Sequence, residues 1–455
     1  MTVAPKQIRL GMFLRQSGHH IAGWRHPDAA ADSDVNFAPT IAIAKTAERG
    51  LFDMIFSADN VALPHEDIDT LTRAPDNARI DPFTLMAALS AVTERIGLVC
   101  TATTTYDEPY FVARKFASLD LVSGGRSGWN VVTSGVKAEA ANFGRDFHPD
   151  KSDRYRRARE FVGIVRGLWD SWDEDAFLRN KKSGEFFDSS KLHVLNHRGD
   201  QFKVRGPLNV ARSPQGQPVI VQAGSSDDGR DVAAETAEVV FTAQSALAEA
   251  QEFYGDIHQR MAKFGRDPSD MKIMPGFFVT VARTQQEADD KHAYLQSLIH
   301  PEMGLSLLSK YMGYDLSACD VDAPLPELPP NNLISSRSTQ LSAMARQDKL
   351  TVRQLYERVA GSRGHFQVCG TPAKVADAME EWFTGGAADG FNVMPPTLPG
   401  GLDDFVELVV PELQRRGLFR TKYEGRTLRE HLGLRKPVSR YAADAVGSVR
   451  VSAGR

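Results

Sequence analysis

Polar side chains recur where short apolar stretches of this sequence end. Asn130 lies within the apolar stretch 129–132, and Thr133 and Ser134 follow it directly. A parallel strand that carries hydrogen-bonding groups at its carboxyl end is typical of the working face of an α/β barrel, so these side chains are candidates for a ligand site. Ordinary turn chemistry is the simpler explanation when this stretch is taken alone.

The corresponding positions after three further apolar stretches also carry hydroxyl or carboxyl side chains: Asp59, Thr104, Thr105, Ser225 and Ser226. The whole set is rich in hydrogen-bonding groups and poor in paired acids and metal ligands. The sequence contains no HExxH, P-loop or GxSxG motif, and no GxGxxG that opens a helix. His19, His20 and His26 cluster without metal-ligand spacing, so no metal site is predicted; they are either polar loop residues or pocket residues.

The segment 223–230, AGSSDDGR, follows an apolar stretch and leads into a predicted helix over 231–237. Backbone N–H groups at such a helix start, beside the hydroxyls of Ser225 and Ser226, form a phosphate site. An ordinary N-cap explains the same residues equally well. Asp227 and Asp228 weigh against a phosphate unless their side chains point outward.

A basic run over residues 151–157 opens another predicted helix. Cations oppose the helix dipole at that end, which indicates a nearby anion, although a solvated helix face is the simpler explanation. Phe13, Phe56 and Phe241 could line an apolar pocket, while core packing is the default interpretation for aromatic side chains.

Short apolar stretches alternate with helical ones along the chain. Strands are predicted over residues 8–14, 52–56, 96–103, 129–132, 218–222, 238–242, 271–281 and 390–394, with helices between them. Apolar strands joined by helical crossovers are typical of a parallel sheet covered by helices. Eight such units predict a (β/α)8 TIM barrel, with an open doubly wound sheet as the alternative.

Length and composition fit this architecture. One barrel domain is predicted over residues 1–420, with insertions at about 181–204 and 300–364 and a C-terminal tail over 421–455. The net charge of −4 predicts neither a nucleic-acid partner nor an anionic membrane surface. Three widely spaced cysteines, an N-terminus unlike a signal peptide and the lack of any run of about 18 apolar residues predict a cytoplasmic protein.

Several motifs together resemble one family. The segments FDMIFSADN, LDLVSGGRSGWNVVTS, RGPLNVARSPQGQPVIVQAGSSDDGR and GGAADGFNVMPPTLPGG occur in order over nearly the whole chain. They are similar to bacterial-luciferase-like flavin-dependent monooxygenases, in the subgroup of nitrilotriacetate, EDTA and dibenzothiophene-sulfone monooxygenases. The resemblance implies a TIM barrel that binds FMN as FMNH2, supplied by a separate NAD(P)H:flavin reductase. With O2, such an enzyme oxygenates a small sulfur- or nitrogen-containing compound, often with C–S or C–N cleavage.

The resemblance also implies roles for individual residues. Asp59 and Thr105, with Thr104 beside them, are expected at the flavin ring and ribityl chain, and Asn130 by the isoalloxazine. Tyr155 and Ser226, with Ser225 adjacent, are expected at the phosphate. Lys151 stands where family members commonly have a histidine, and it could pair with phosphate as a point charge. The substrate-pocket candidates are His20, Phe13, Phe56 and Phe241.

Two other functions remain open on the sequence. A deazaflavin-dependent oxidoreductase on the same barrel would not consume O2, and a related barrel could bind flavin without catalysis. The resemblance further implies a homodimer or homotetramer. Substrate identity is expected to depend on the loop over residues 16–34 and on the insertion over 300–364.

Overall fold

A computed structural model of the chain describes residues 6–15, 17–63, 68–327 and 336–442. Its strands are β1 (Arg9–Phe13), β2 (Met54–Ser57), β3 (Gly97–Thr103), β4 (Ser127–Val132), β5 (His197–Arg198), β6 (Lys203–Val204), β7 (Val219–Ala223), β8 (Val239–Thr242), β9 (Lys272–Val281), β10 (Phe366–Gly370) and β11 (Gly390–Met394). All but the antiparallel hairpin β5–β6 belong to one nine-stranded parallel sheet. Strands β1, β2, β3, β4, β7, β8, β9 and β11 follow one another around a closed barrel, which confirms the predicted TIM barrel.

Helices cover the outside of the barrel and build the insertions. They are α1 (Phe37–Arg49), α2 (Ile68–Leu71), α3 (Pro82–Ser90), α4 (Pro109–Val122), α5 (Glu139–Asn142), α6 (Lys151–Trp169), α7 (Asp227–Thr236), α8 (Leu247–Lys263), α9 (Gln285–Ser297), α10 (Pro301–Met312), α11 (Ser336–Gln347), α12 (Val352–Ala360), α13 (Pro372–Thr384), α14 (Gly400–Asp404), α15 (Val410–Arg415) and α16 (Leu428–Leu432). A π-helical turn, Phe405–Val409, joins α14 to α15. Within the described parts, no helix is both long and apolar enough to cross a bilayer.

Strand β10 was not predicted from the sequence. It pairs with the second half of β9, from Phe277 to Val281, whereas β8 pairs only with the first half of that strand. The ten residues of β9 therefore extend beyond the barrel wall, and β10 covers the edge that β8 leaves. The apolar pattern predicts a longer strand at 271–281 than at 238–242, but it does not show that residues 366–370 pair with the part of β9 that β8 leaves uncovered.

The C-terminal segment closes the amino-terminal end of the barrel. Leu428, Leu432 and Leu434 pack with inward-facing barrel residues such as Val99 and Val219. Each of the three leucines is buried. We therefore place residues up to 434 with the barrel rather than with a tail beginning at residue 421; residues 443–455 of that predicted tail lie outside the described part.

The insertion predicted over 300–364 contains α10, α11 and α12, which share a second core separate from that of the barrel. Leu308, Leu355 and Tyr356 lie at its centre and are fully buried. Residues 328–335, which include the end of the proline cluster, are outside the described part, as is Gln16 in the loop over 16–34. The other insertion, over 181–204, contains the hairpin β5–β6.

Candidate functional site

Two cavities lie side by side at the carboxyl ends of the barrel strands. The first, here called the polar cavity, has a volume of about 450 Å³ and lies at the ends of β2, β3 and β4. It is lined by Asp59, Asn60, Thr101, Thr103, Thr133 and Ser134, among others. The second, here called the cationic cavity, has a volume of about 280 Å³ and lies beside the ends of β1 and β2. Asn60 lines both, so the two cavities are neighbours.

Asn130 is not among the residues that line either cavity, but it contacts Thr101, which lines the polar cavity. Its Nδ2 donates to Thr101 Oγ1 over 2.7 Å, and Thr101 Oγ1 donates to the carbonyl of Ser57 over 2.9 Å. Asn130 is 1% exposed, and its Oδ1 has no hydrogen-bond partner among the described residues. A buried acceptor without a partner costs free energy, so this oxygen is suited to receive a donor from a ligand.

Thr104 and Thr105 do not line the polar cavity. Thr104 Oγ1 donates to the carbonyl of Val132 over 3.2 Å, and Thr105 Oγ1 donates to that of Thr133 over 2.8 Å. Both hydroxyls are thus used to join the β3 turn to the end of β4. Neither hydroxyl faces the polar cavity, and the predicted contacts of these two residues with the flavin stay a prediction.

The threonines that face the cavity are Thr101 and Thr103, two residues apart on one face of β3. The Oγ atoms of Thr103 and Ser134 lie 2.8 Å apart. Side chains of a strand alternate between faces, so positions 101 and 103 share one face of β3, whereas the prediction chose the two residues that follow the strand.

Asp59 lies at the rim of the polar cavity, with 16% of its side chain exposed. Burial raises the pKa of its carboxyl to about 6, although the Arg79 guanidinium, 3.8 Å away, acts in the opposite direction. The carboxylate therefore changes charge within a mildly acidic pH range.

A cradle of small and hydroxyl-bearing residues lies at the start of α7. Ser226 is the N-cap of this helix and accepts from Gly229 N over 3.3 Å, and its Oγ lies 3.3 Å from Tyr155 Oη. A Cβ atom on Gly229 would meet Tyr155 Oη at 3.0 Å and Ser226 Oγ at 3.1 Å. The glycine thus leaves open the space between the helix start and two hydroxyls, which is the donor set of a phosphate site.

The helix at this cradle begins at Asp227, four residues earlier than predicted. Asp227 and Asp228 both point at cations outside the cradle: Asp227 contacts Arg260 over 2.6 Å, and Asp228 lies 3.4 Å from Lys151. Their carboxylates therefore do not occupy the space between Ser226 and Tyr155. Ser225 is exposed beside the cradle.

Aromatic rings form a layer between the cationic cavity and the barrel interior. The ring centroids of Phe13, Phe56 and Phe241 lie 5.0–5.5 Å apart, and each ring comes from a different strand. His365 stacks on Phe241 with centroids 5.3 Å apart. Phe13 lines the cationic cavity, whereas Phe56 is buried in the barrel core. Of the three predicted pocket aromatics, Phe13 is thus a wall residue of the cationic cavity, whereas Phe56 and Phe241 contact the Phe13 ring and do not line either cavity.

His19, rather than His20, contacts this aromatic layer. The His19 ring lies 4.5 Å from that of Phe13, and its Nε2 donates to the Phe13 carbonyl over 2.9 Å. Burial, together with Arg363 and Arg15, holds the pKa of His19 well below its usual value, so the ring is neutral and Nδ1 is an acceptor. His20 lines neither cavity; its Nε2 lies 3.1 Å from Gln296 Oε1, and its Nδ1 accepts from Ala22 N.

Comparison with known proteins gives consistent similarities over nearly the whole chain. Residues 16–389 match the family described as luciferase-like monooxygenase. The chain is 55% identical to N-acetyl-S-(2-succino)cysteine monooxygenase of Bacillus subtilis (strain 168), over 97% of this chain and 100% of the relative. It is 52% identical to nitrilotriacetate monooxygenase component A of Aminobacter aminovorans, over 95% and 98%. It also superimposes on a crystal structure of riboflavin lyase with modified FMN, with a TM-score of 0.82, 34% identity and coverage of 95% and 97%.

Proposed function

Because the chain belongs to the luciferase-like monooxygenase family and is a flavin-dependent monooxygenase, we propose that it is the oxygenase component of a two-component system. In this proposal FMNH2 comes from a separate NAD(P)H:flavin reductase, and O2 is the second substrate. The name "component A" of the Aminobacter aminovorans relative supports a divided system. The FMN in the riboflavin lyase structure supports the choice of flavin.

The observation that carries the proposal is the pairing of a phosphate-type cradle with a buried acceptor that has no partner. The cradle at Ser226, Gly229 and Tyr155 offers hydroxyl and backbone donors beside the positive end of a helix, which suits the FMN phosphate. Asn130 Oδ1 needs a donor, and a flavin ring system carries N–H groups. The residues present therefore fit the cofactor at both of its ends.

In this proposal different residues bind the phosphate, contact the ring system and exclude water. Tyr155 and Ser226 hold the phosphate, while Asn130 and Asp59 contact the ring system. Bound reduced flavin supplies the two electrons with which one oxygen atom of O2 is transferred to the substrate and the other leaves as water. The protein provides orientation and a dry setting, and the layer of Phe13, Phe56 and Phe241 excludes water from the side nearest the barrel core.

We propose a small sulfur- or nitrogen-containing organic compound as the substrate. The names of the two relatives at 55% and 52% identity support this class. The compound in the first name contains a thioether, and the compound in the second contains a tertiary amine. Neither name decides between C–S and C–N cleavage in this chain.

The test uses the purified protein with FMNH2 generated by an unrelated NADH:FMN reductase, catalase and labelled ¹⁸O2. Thioethers, sulfones and tertiary amines are supplied in turn, and products are analysed by mass spectrometry. One ¹⁸O atom per product molecule, absent without the protein, is the expected result. If no compound of the panel is labelled and reduced deazaflavin is instead the form that binds, the proposal fails.

A further inference from the structure

We propose that the cationic cavity is the substrate-binding subsite and that it selects a polycarboxylate, a small molecule bearing at least two carboxylate groups near the atom to be oxygenated. The proposal rests on the proposed function, because it treats the cavity next to the polar cavity as the place of the substrate. It adds the chemical class that the cavity accepts. The class is argued from the charge of the cavity walls.

Four cationic side chains line the cationic cavity: Arg15, Arg79, Lys310 and Arg363. No carboxylate lines it among the residues that the structure describes. This concentration of positive charge contrasts with the net charge of −4 of the whole chain and with the acid-lined polar cavity next to it, which holds Asp59, Asp81, Asp107 and Glu139. A concave surface of one sign attracts and retains ligands of the opposite sign.

Arg363 is the most informative of the four. Its Nη2 donates to the carbonyl of His19 over 2.7 Å, which fixes the guanidinium in place. Its Nε is buried without a hydrogen-bond partner among the described residues. A planar guanidinium held this way matches a carboxylate better than an ammonium does, because it offers donors in a fixed plane. Burial lowers the pKa of Arg363, because removal of water disfavours the charged form.

Two neutral polar groups of the same cavity also have no partner. Ser33 Oγ and Asn60 Oδ1 are buried, and neither has a hydrogen bond within the described part of the chain. Ser33 comes from the loop over 16–34 and Asn60 from the end of β2. Buried polar groups are nearly always satisfied, so these two, together with Arg363 Nε, mark a position for a polar ligand rather than for a hydrocarbon.

The insertion supplies two of the cations. Lys310 belongs to α10, and Arg363 follows α12 directly. Neither is part of the cradle at α7, so the FMN phosphate has separate donors and leaves these charges available. Substrate class in this chain is thus set by a segment outside the barrel, while the cofactor contacts lie on the barrel and on α6 and α7.

The test measures binding rather than turnover. The probe is tricarballylate, which carries three carboxylates and neither sulfur nor nitrogen, and its trimethyl ester is the neutral comparison. Isothermal titration calorimetry is performed with the full chain in 50 mM and 500 mM NaCl. We expect the ester to bind at least tenfold more weakly than the acid, and the acid to lose affinity in high salt.

The variants are Lys310→Gln, Arg363→Gln and Arg363→Lys, with Lys263→Gln as the matched control. Lys263 is an exposed lysine at the end of α8. We expect Lys310→Gln to weaken tricarballylate binding about threefold or more and Arg363→Gln about tenfold or more, with Arg363→Lys between wild type and Arg363→Gln. Lys263→Gln keeps wild-type affinity. Because Lys310 is exposed, its variant folds even where a change at Arg363 does not.

The outcomes separate the two proposals. Equal binding of tricarballylate and its ester, or unchanged affinity in Lys310→Gln, overturns the polycarboxylate subsite, and labelled oxygen in neutral sulfur compounds would then leave the proposed function standing. Salt-sensitive tricarballylate binding without oxygenation of any compound would support the polycarboxylate subsite and contradict the proposed function. Competition between tricarballylate and inorganic phosphate, but not riboflavin, would assign the cavity to the cofactor phosphate and overturn the inference.

Discussion

Ser226 has two contacts in the structure, one as the cap of α7 and one beside Tyr155. Its proposed role in phosphate binding can be tested by substitution. Its Oγ caps α7 through Gly229 N and lies beside Tyr155 Oη. We expect Ser226→Ala to weaken FMNH2 binding roughly ten- to hundredfold, because a hydrogen bond to a charged phosphate is worth about 1.5–3 kcal/mol. Anaerobic fluorescence titration with FMNH2 measures this change.

Ser226→Ala also removes the cap of α7, so a second variant must show what the loss of a helix cap alone does to FMNH2 affinity. Thr371 caps α13 in the same way, by accepting from Lys374 N, and lies away from both cavities. Thr371→Ala should therefore cost about 0.5–2 kcal/mol of stability with FMNH2 affinity unchanged. Equal affinities for FMNH2 in the Ser226 variant and in wild type would remove Ser226 from the proposed phosphate site.

Asp59 should give the flavin-free protein a measurable pH dependence. Its carboxyl has a pKa of about 6 when folded and about 3.8 as the ordinary value. Since the folded protein binds this proton more tightly, stability from Asp59 falls as pH rises from about 4 to 6 and stays low above 6. Asp59→Asn removes this pH-dependent loss of stability, because asparagine does not titrate.

We therefore expect Asp59→Asn to gain about 1–3 kcal/mol relative to wild type between pH 4 and pH 7, since one pKa unit corresponds to about 1.4 kcal/mol. Urea unfolding at both pH values provides the free energies. Asp153→Asn is the control, because its carboxylate is exposed and lines neither cavity. A difference between wild type and Asp59→Asn that is the same at both pH values would contradict the raised pKa.

Sequence reasoning located most polar candidates at this scale but not their orientation. Asn130, Asp59 and Ser226 could be chosen because they lie in a strand, just after a strand and at the start of a helix. Tyr155 was chosen on the family resemblance alone. The hydroxyls of Thr104 and Thr105 donate to the β4 backbone instead, because both residues lie in the turn beyond the end of β3. Arg363 could not be chosen at all, because its position depends on how the insertion folds back onto the loop that carries His19.

Two helix starts, those of α6 and α7, meet at the phosphate cradle. Lys151 opens α6, and its Nζ lies 3.4 Å from Asp228 Oδ2 in the first turn of α7 and 5.9 Å from the Tyr155 ring. Both members of the pair are about half exposed, so the ion pair is weak. Asp228 thus competes with the proposed phosphate for the ammonium group of Lys151.

We expect Asp228→Asn to raise FMNH2 affinity and Lys151→Gln to lower it, each by about two- to fivefold, because exposed charge pairs contribute up to about 1 kcal/mol. Both effects should disappear in 0.5 M salt and should be absent with reduced riboflavin, which lacks the phosphate. Asp153→Asn, which breaks the neighbouring ion pair with Arg156, is the matched control. Unchanged affinity in both variants would make Lys151 an ordinary surface residue.

The elements themselves were largely predictable because the pattern that specifies them is local. Apolar stretches of strand length alternate with helical ones, and β11 has the predicted boundaries, 390–394. Strand β10 and helix α16 escaped prediction for a different reason. Each is stabilised by a partner distant in sequence, β9 in one case and the barrel interior in the other, and neither partner can be read from five residues.

At the scale of the whole molecule, the barrel is held closed by the segment that follows its last helix. Arg420 pairs with Asp53 at the start of β2, and Arg429 pairs with Glu238 just before β8. These strands lie on different sides of the barrel. The leucines of α16 pack with inward-facing residues of several strands, so the segment joins opposite walls through both charge and apolar contact.

Removing one of these buried cations should therefore destabilise the whole barrel. Burial opposes ionisation of Glu238, but Arg429 outweighs it and lowers the pKa of that carboxyl, and Arg429 also donates to the carbonyl of Gln217 over 3.0 Å. We expect Arg429→Met to cost about 3–5 kcal/mol at pH 7, because it leaves a carboxylate buried without its partner. Arg435→Met should cost less than about 1 kcal/mol, since its pair with Asp270 is exposed.

The pH dependence of this loss identifies its cause. A carboxyl whose folded pKa is lowered stabilises the protein above its ordinary pKa of 4.5, and that stability disappears as the pH falls through the folded pKa. In Arg429→Met the buried Glu238 can become neutral as the pH falls, so the cost should shrink between pH 7 and pH 4. Urea unfolding at the two pH values, compared with Arg435→Met, measures it. A cost that is equal at both values would assign the effect to lost packing around Arg429 rather than to the ion pair that closes the barrel.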